Sequence, residues 1–225
     1  MLPKITLYYD VISPYSWIAF ETLLRYQKKE YFDLILKPIF LGGVMKETSN
    51  RPPAMVPAKG RYMEKDLDMM SRYYGMKLVQ PKDFFDTAIT KGTLNAVRFL
   101  AAIEKEDSKY LVPASREFWK RLWLRQESAH EESDFLEVGD KIGLKKESID
   151  GVLKKMSSPS IKDVIKNNTA EAIADGAFGA PWIKVEKANG ERHSFFGSDR
   201  MPQICFFIEK PFLGPLIEEE CRSKI

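Results

Sequence analysis

The chain has 225 residues, 44% of them hydrophobic, which is enough for one sizeable core. Its 35 basic and 32 acidic residues are interspersed and leave a net charge of +3. That balance excludes the dense basic patches of a nucleic-acid binder or a polybasic membrane segment. No apolar run approaches the roughly 20 residues that span a bilayer. The first residues pass straight into a strand pattern, so a soluble, intracellular protein without a signal or transit peptide is expected.

Ile5, Leu7, Tyr9 and Val11 alternate with Thr6, Tyr8 and Asp10, the period of a β-strand. Ser13 then reads as a helix N-cap and Pro14 as the first helical residue, with Trp17, Phe20 and Leu24 on one face. Tyr31 to Ile39 is a second apolar strand, which completes a βαβ unit. The Gly- and Pro-rich stretch GGVMKETSNRPPAMVPAKG has no regular period and predicts a linker or a functional loop.

From about Tyr62 to Met156 the periodicity is helical, in Leu67-Met70-Tyr74, Leu94-Val97-Leu100-Ala101 and Phe118-Leu122. Breaks are expected at Ser108, Gly139 and Gly143. Ser160 predicts the cap of a helix that runs to about Asp175 and stops at Gly176. PWIKVEKANGERHSFFG predicts a hairpin around Asn189-Gly190, and Ser198-Asp199 the cap of a last helix reaching Ile208. The order βαβ, helical block, αββα predicts an α/β thioredoxin-like fold. Residues 1–46 and 160–225 would form the thioredoxin-like domain, with 47–159 an inserted loop and all-helical domain.

Cys205 lies in the apolar run Ile204 to Ile208 and predicts a buried core thiol, whereas Cys221 lies among charges in the tail. His130 and His193 are the sole histidines, so neither a metal-ligand spacing nor a nucleophile–histidine pair can be assembled. No metal or cofactor is expected. Three places remain for chemistry, and each has an ordinary structural explanation. Ser13 and Ser198-Asp199 can be helix caps, and Pro181 an ordinary strand-entry proline. In a thioredoxin-type arrangement, however, the first helix start and the proline-led strand meet. The backbone beside Pro181 could then hold an extended, thiol-bearing peptide.

YYDVISPYSW, NRPP, KGTLNAVRFL, REFWKRLW, GAFGAP and FGSDRM occur in that order from Tyr8 to Met201. In this combination the chain resembles the kappa-class glutathione transferases, which are related to the DsbA-like oxidoreductases and to 2-hydroxychromene-2-carboxylate isomerases. The resemblance implies a DsbA-like character for the helical insertion and glutathione as co-substrate. It puts Ser13 at the catalytic serine, donating a hydrogen bond to the glutathione sulfur, with Pro14, Tyr15 and Ser16 completing the motif. Asn50 and Lys59 would bind the tripeptide, Lys59 through the glycyl carboxylate. Ala180 would pair through its backbone beside a cis Pro181, and Ser198 and Asp199, with Arg200 nearby, would hold the γ-glutamyl head. Ala180 departs from the larger apolar residue of mammalian relatives, which should alter the pocket wall more than the backbone contact.

The resemblance also implies a small apolar electrophile, aryl halide or peroxide, in a pocket between Trp17, Trp182 and the inserted helices. It implies a homodimer in mitochondria or peroxisomes, and the terminal Ser223-Lys224-Ile225 is one residue from a peroxisomal Ser-Lys-Leu. Two other readings compete with the transferase. One is a glutathione-dependent isomerase at the same site, and the other a non-catalytic binding scaffold whose redox corner has decayed.

The thiolate chemistry is affordable in energy. A free thiol ionises near pH 8.5, and lowering that by about 2 units needs about 2.7 kcal/mol of thiolate stabilisation. A helix start supplies about 0.3–2 kcal/mol. A hydroxyl bonded to a charged acceptor adds about 1.5–3 kcal/mol.

Overall fold

The structure, a computed structural model, describes residues 1–81 and 91–216. Cys221 and the terminal Ser223-Lys224-Ile225 lie outside the described residues.

Strand β1 (Lys4–Tyr9) is central in a four-stranded sheet ordered β2-β1-β3-β4. It pairs in parallel with β2 (Asp33–Pro38) and antiparallel with β3 (Trp182–Glu186), which pairs antiparallel with β4 (Arg192–Phe196). Leu7 stands opposite Leu36 on one side and Ile183 on the other. Both faces of the sheet are covered. Ile5, Leu7 and Tyr9 enter the main core with Phe20, Trp119, Ile183 and Val185. Tyr8, at a position the alternation pairs with polar Thr6 and Asp10, is fully buried on the opposite face. There it stands opposite Trp182 and packs with Ile39, Val44 and Ala172.

Helix α1 (Pro14–Gln27) follows β1 as expected. The stretch expected to be a loop instead contains a helix, α2 (Leu41–Glu47), despite Gly42 and Gly43. A tertiary contact supplies what local propensity lacks. The buried Asp10 carboxylate accepts the Leu41 N–H at 2.9 Å and so caps the start of α2 from outside. Then come α3 (Pro57–Tyr73), α4 (Leu94–Asp107) and α5 (Leu111–Lys120), which continues as a π-turn over Arg121–Arg125 and stops at left-handed Gln126.

Helices α6 (Glu132–Lys141) and α7 (Lys146–Met156) complete the inserted helices. Gly139, expected as a break, lies inside α6. A Cβ there would stand 2.6 Å from Ile149 Cγ1, so this glycine permits close packing of α6 on α7. Helix α8 (Pro159–Ala174) is capped by Ser158, not Ser160, because Ser158 is the residue in extended conformation whose side chain accepts from Ile161. Its end is as read: Gly176 N–H reaches Ile173 O and Ala177 N–H reaches Ala172 O, the pairing of a Schellman turn. Helix α9 (Met201–Phe207) begins after Arg200, so Ser198 and Asp199 lie in the preceding loop and do not cap it.

The fold is thus an α/β thioredoxin-like sheet with a helical insertion. One hydrophobic cluster takes residues from both parts, including Leu7 and Phe20 from one and Phe99, Trp119 and Phe135 from the other. Among the described residues, no helix is long and apolar enough to cross a membrane.

Candidate active site

The corner between β1 and α1 is held from several sides. Ser13 has extended backbone (φ −90°, ψ 115°), and its Oγ accepts the Ser16 N–H at 3.1 Å. Its own N–H donates to Asp10 O at 3.0 Å. Pro14 has no N–H and Ser16's is taken, so Tyr15 carries the first-turn amide that the cap leaves over. No acidic residue stands in that turn. Its positive end is therefore not neutralised locally.

The Ser13 hydroxyl donates to Ala180 O at 3.2 Å, across the start of the proline-led strand. The Ala180-Pro181 bond is cis. Next along the same surface, Gly197 N–H donates to Pro181 O at 3.2 Å. Gly197 is in the left-handed region at φ +106°, and a Cβ would sit 2.9 Å from Asp199 Oδ1. This residue therefore turns the chain so that Ser198 and Asp199 follow directly beside the proline. Ser198 is buried, its carbonyl approached by Tyr74 Oη at 3.4 Å. The Asp199 carboxylate is largely open, 3.4 Å from Arg200 Nε, which also donates to Phe196 O at 3.1 Å.

Asn50 joins from the other side. Its Nδ2 donates to Phe178 O at 2.6 Å and its Oδ1 accepts Arg51 N–H at 2.8 Å, tying the loop after α2 to the GAFGAP loop. Tyr15 donates to Asp66 Oδ2 on α3 at 2.7 Å; burial, with Asp66 beside it, raises that phenol well above its usual range. Lys59, near the start of α3, is exposed, and its side chain makes no hydrogen bond or ion pair among the described residues. Ser16 is fully buried, and its Oγ has no hydrogen-bond partner among them.

Trp17 and Trp182 are not brought together. Trp17 belongs to the main core, stacked on Trp119 with centroids 6.2 Å apart. Trp182 belongs to the cluster on the opposite face, with its Nε1 donating to Asp175 Oδ2 at 2.8 Å. The sheet lies between these clusters, so the two rings do not wall a common pocket.

The profile of the DSBA-like thioredoxin domain matches residues 4–208. Human glutathione S-transferase kappa 1 is 40% identical over 216 residues, covering 96% of this chain and 95% of that protein. The chain belongs to the kappa-class glutathione transferases. The rat glutathione S-transferase kappa 1 is 39% identical over 210 residues, 93% of this kappa chain and 92% of its own. The solved structure of 2-hydroxychromene-2-carboxylate isomerase superposes with a TM-score of 0.73, covering 92% of this chain and 94% of that one. At 18% identity this likeness concerns the fold.

Several residues that build the kappa corner were missed in the sequence. Trp119 Nε1 donates to Ser13 O at 3.1 Å, and Trp123 Nε1 donates to Ile12 O at 3.2 Å. Their four-residue spacing signals one shared helical face, but not what that face meets. Asp10 is wholly buried: its Oδ1 accepts from Thr93 Oγ1 at 2.6 Å and Ile12 N–H at 3.2 Å, its Oδ2 from Leu41. Burial pushes this carboxyl up, against these donors. In the sequence, Asp10 looked like one more polar position of an alternating strand.

Proposed function

We propose that this kappa transferase binds reduced glutathione at the Ser13 corner, stabilises its thiolate and transfers the sulfur to electrophiles. The observation that carries this reading is Ser13 Oγ, fixed as an acceptor by Ser16 N–H and holding its proton toward Ala180 O at 3.2 Å. A thiolate arriving at the helix start offers that proton a charged acceptor, and charge-assisted bonds are the stronger ones. Rotation of the O–H toward sulfur frees the Ala180 carbonyl, which can accept the cysteinyl N–H of the incoming tripeptide. Ser13 acts as a donor, so no histidine is needed to deprotonate it.

Asp199 offers an open carboxylate to the γ-glutamyl ammonium, and Ser198 and Arg200 adjoin the same head group. Asn50 holds the loop that presents Ala180, and Lys59 stands unpaired for the glycyl carboxylate. With an aryl halide, the thiolate forms a carbon–sulfur bond and the halide leaves; organic peroxides are a second electrophile class. The homodimer and the mitochondrial or peroxisomal setting belong to the same proposal and rest on family resemblance.

The test is the ultraviolet thiolate absorbance of bound glutathione against pH, in wild type and Ser13→Ala. The wild type should ionise the thiol about 2 units below its free value, and the variant should lose most of that shift while still binding glutathione. An unshifted thiol in the wild-type complex would overturn the mechanism.

A further inference from the structure

Apart from the Ser13 corner, a groove of about 530 Å³ opens between α2, α4 and α8. Its lining combines cations with apolar side chains. Arg98 from α4 and Lys162 and Lys166, one turn apart on α8, supply three cations. Phe40, Leu94, Ile165 and Ile173 supply an apolar floor. None of the three cations forms an ion pair among the described residues. Like charges at this helical spacing repel. Among the described residues, Arg98 Nη1 reaches only Asn95 Oδ1, at 3.4 Å, while its Nε is buried without a hydrogen-bond partner. Buried donors are ordinarily satisfied by protein, water or ligand, so this guanidinium has hydrogen-bonding capacity that the described residues leave unused.

The carboxylate in the lining, Glu47, stands at the other end. Helix α2 runs beside α8 in the same sense, since Phe40 N–H bonds Thr169 Oγ1 at 3.1 Å and Asn50, beyond α2, reaches Phe178, beyond α8. Glu47 therefore lies toward Ala174 and away from Lys162. Between the ends, Thr169 is already satisfied, accepting from Phe40 and donating to Ile165 O at 2.7 Å. From Lys162 to Ala174 helix α8 rises about 18 Å. An occupant thus needs an anionic head at the Arg98 end and an extended tail that asks for no hydrogen bond.

We infer that this groove binds a fatty-acid anion, its carboxylate among Arg98, Lys162 and Lys166 and its chain along Ile165 and Ile173. The planar guanidinium suits a carboxylate, and Glu47 disfavours the reversed orientation. Isothermal titration of the full chain with dodecanoate, at low salt and below its micelle concentration, tests this. One saturable site is expected, with dodecanol and acetate each at least tenfold weaker. The triple variant Arg98→Gln, Lys162→Gln, Lys166→Gln should weaken dodecanoate at least tenfold, and saturating reduced glutathione should leave wild-type binding unchanged. Equal binding of dodecanol by the wild type would overturn the inference without recourse to any variant. So would equal affinity in a folded triple variant, displacement by glutathione, or the absence of saturable binding.

Discussion

Ser13 Oγ and Ala180 O, 167 positions apart in the chain, meet at 3.2 Å. This bond joins the start of the first helix to the strand led by Pro181. It makes the corner a property of two distant segments, and the residues around it can be tested one at a time.

Trp119 holds that corner from the inserted helices through its indole N–H. Trp119→Phe keeps an aromatic ring in the core but leaves the Ser13 carbonyl with the Trp17 N–H alone, at 3.3 Å. We expect a loss of about 0.5–1.5 kcal/mol in urea denaturation, accompanied by a reduced thiolate shift of bound glutathione. A stability loss with an unchanged thiolate shift would show that Trp119 does not position Ser13.

Asp10 gathers the start of α2, the head of α4 and the β1–α1 corner on one carboxylate. Asp10→Ala strands two backbone N–H groups and the Thr93 hydroxyl. The expected destabilisation is about 2–5 kcal/mol, more than one unpaired donor would cost. In a double-mutant cycle with Thr93→Val, the two changes should be less than additive. Strict additivity would rule out the network.

Asp134 gives a pH dependence with a definite sign. Burial alone would push its carboxyl up, but N–H groups of Glu131 and His130, the Ser128 hydroxyl and the Arg121 guanidinium at 2.7 Å hold it below the ordinary range. A lowered folded pKa contributes stability above the unfolded value and loses it as pH falls through the folded one. Urea midpoints of the wild type should therefore drop more steeply than those of Asp134→Asn below about pH 3.9. Parallel curves would remove Asp134 as the source.

Cys205 is buried in α9, and burial pushes its thiol up to about 11. It should react with a disulfide reagent at pH 8 only after unfolding, because the thiolate is the reactive form. In Cys221→Ser, the native protein should release no rapid thiol signal, and the denatured protein one equivalent. A rapid native signal would contradict the buried setting.

Much of the fold was legible because its signals are local. The cap at Ser13, the Pro14 helix start, the Gly176 stop and the hairpin at Asn189-Gly190 each depend on a few neighbouring residues. The structure departs from these local signals where a partner elsewhere in the fold overrides them. Helix α2 forms across two glycines under a cap from Asp10, and Gly139 stays helical because Ile149 packs against it. The resemblance implies one pocket between Trp17 and Trp182; the sheet that separates them cannot be seen in their spacing.

The sequence by itself determined the thioredoxin-like order of elements, the serine at the helix start and the absence of sulfur there. Those follow from residue type and short-range periodicity. Only the tertiary structure decided that the Ser13 hydroxyl donates its hydrogen bond to Ala180 O, and that two tryptophans and a buried aspartate hold the corner. These are contacts between segments far apart in the chain, and their geometry is set by which faces the sheet and helices bury.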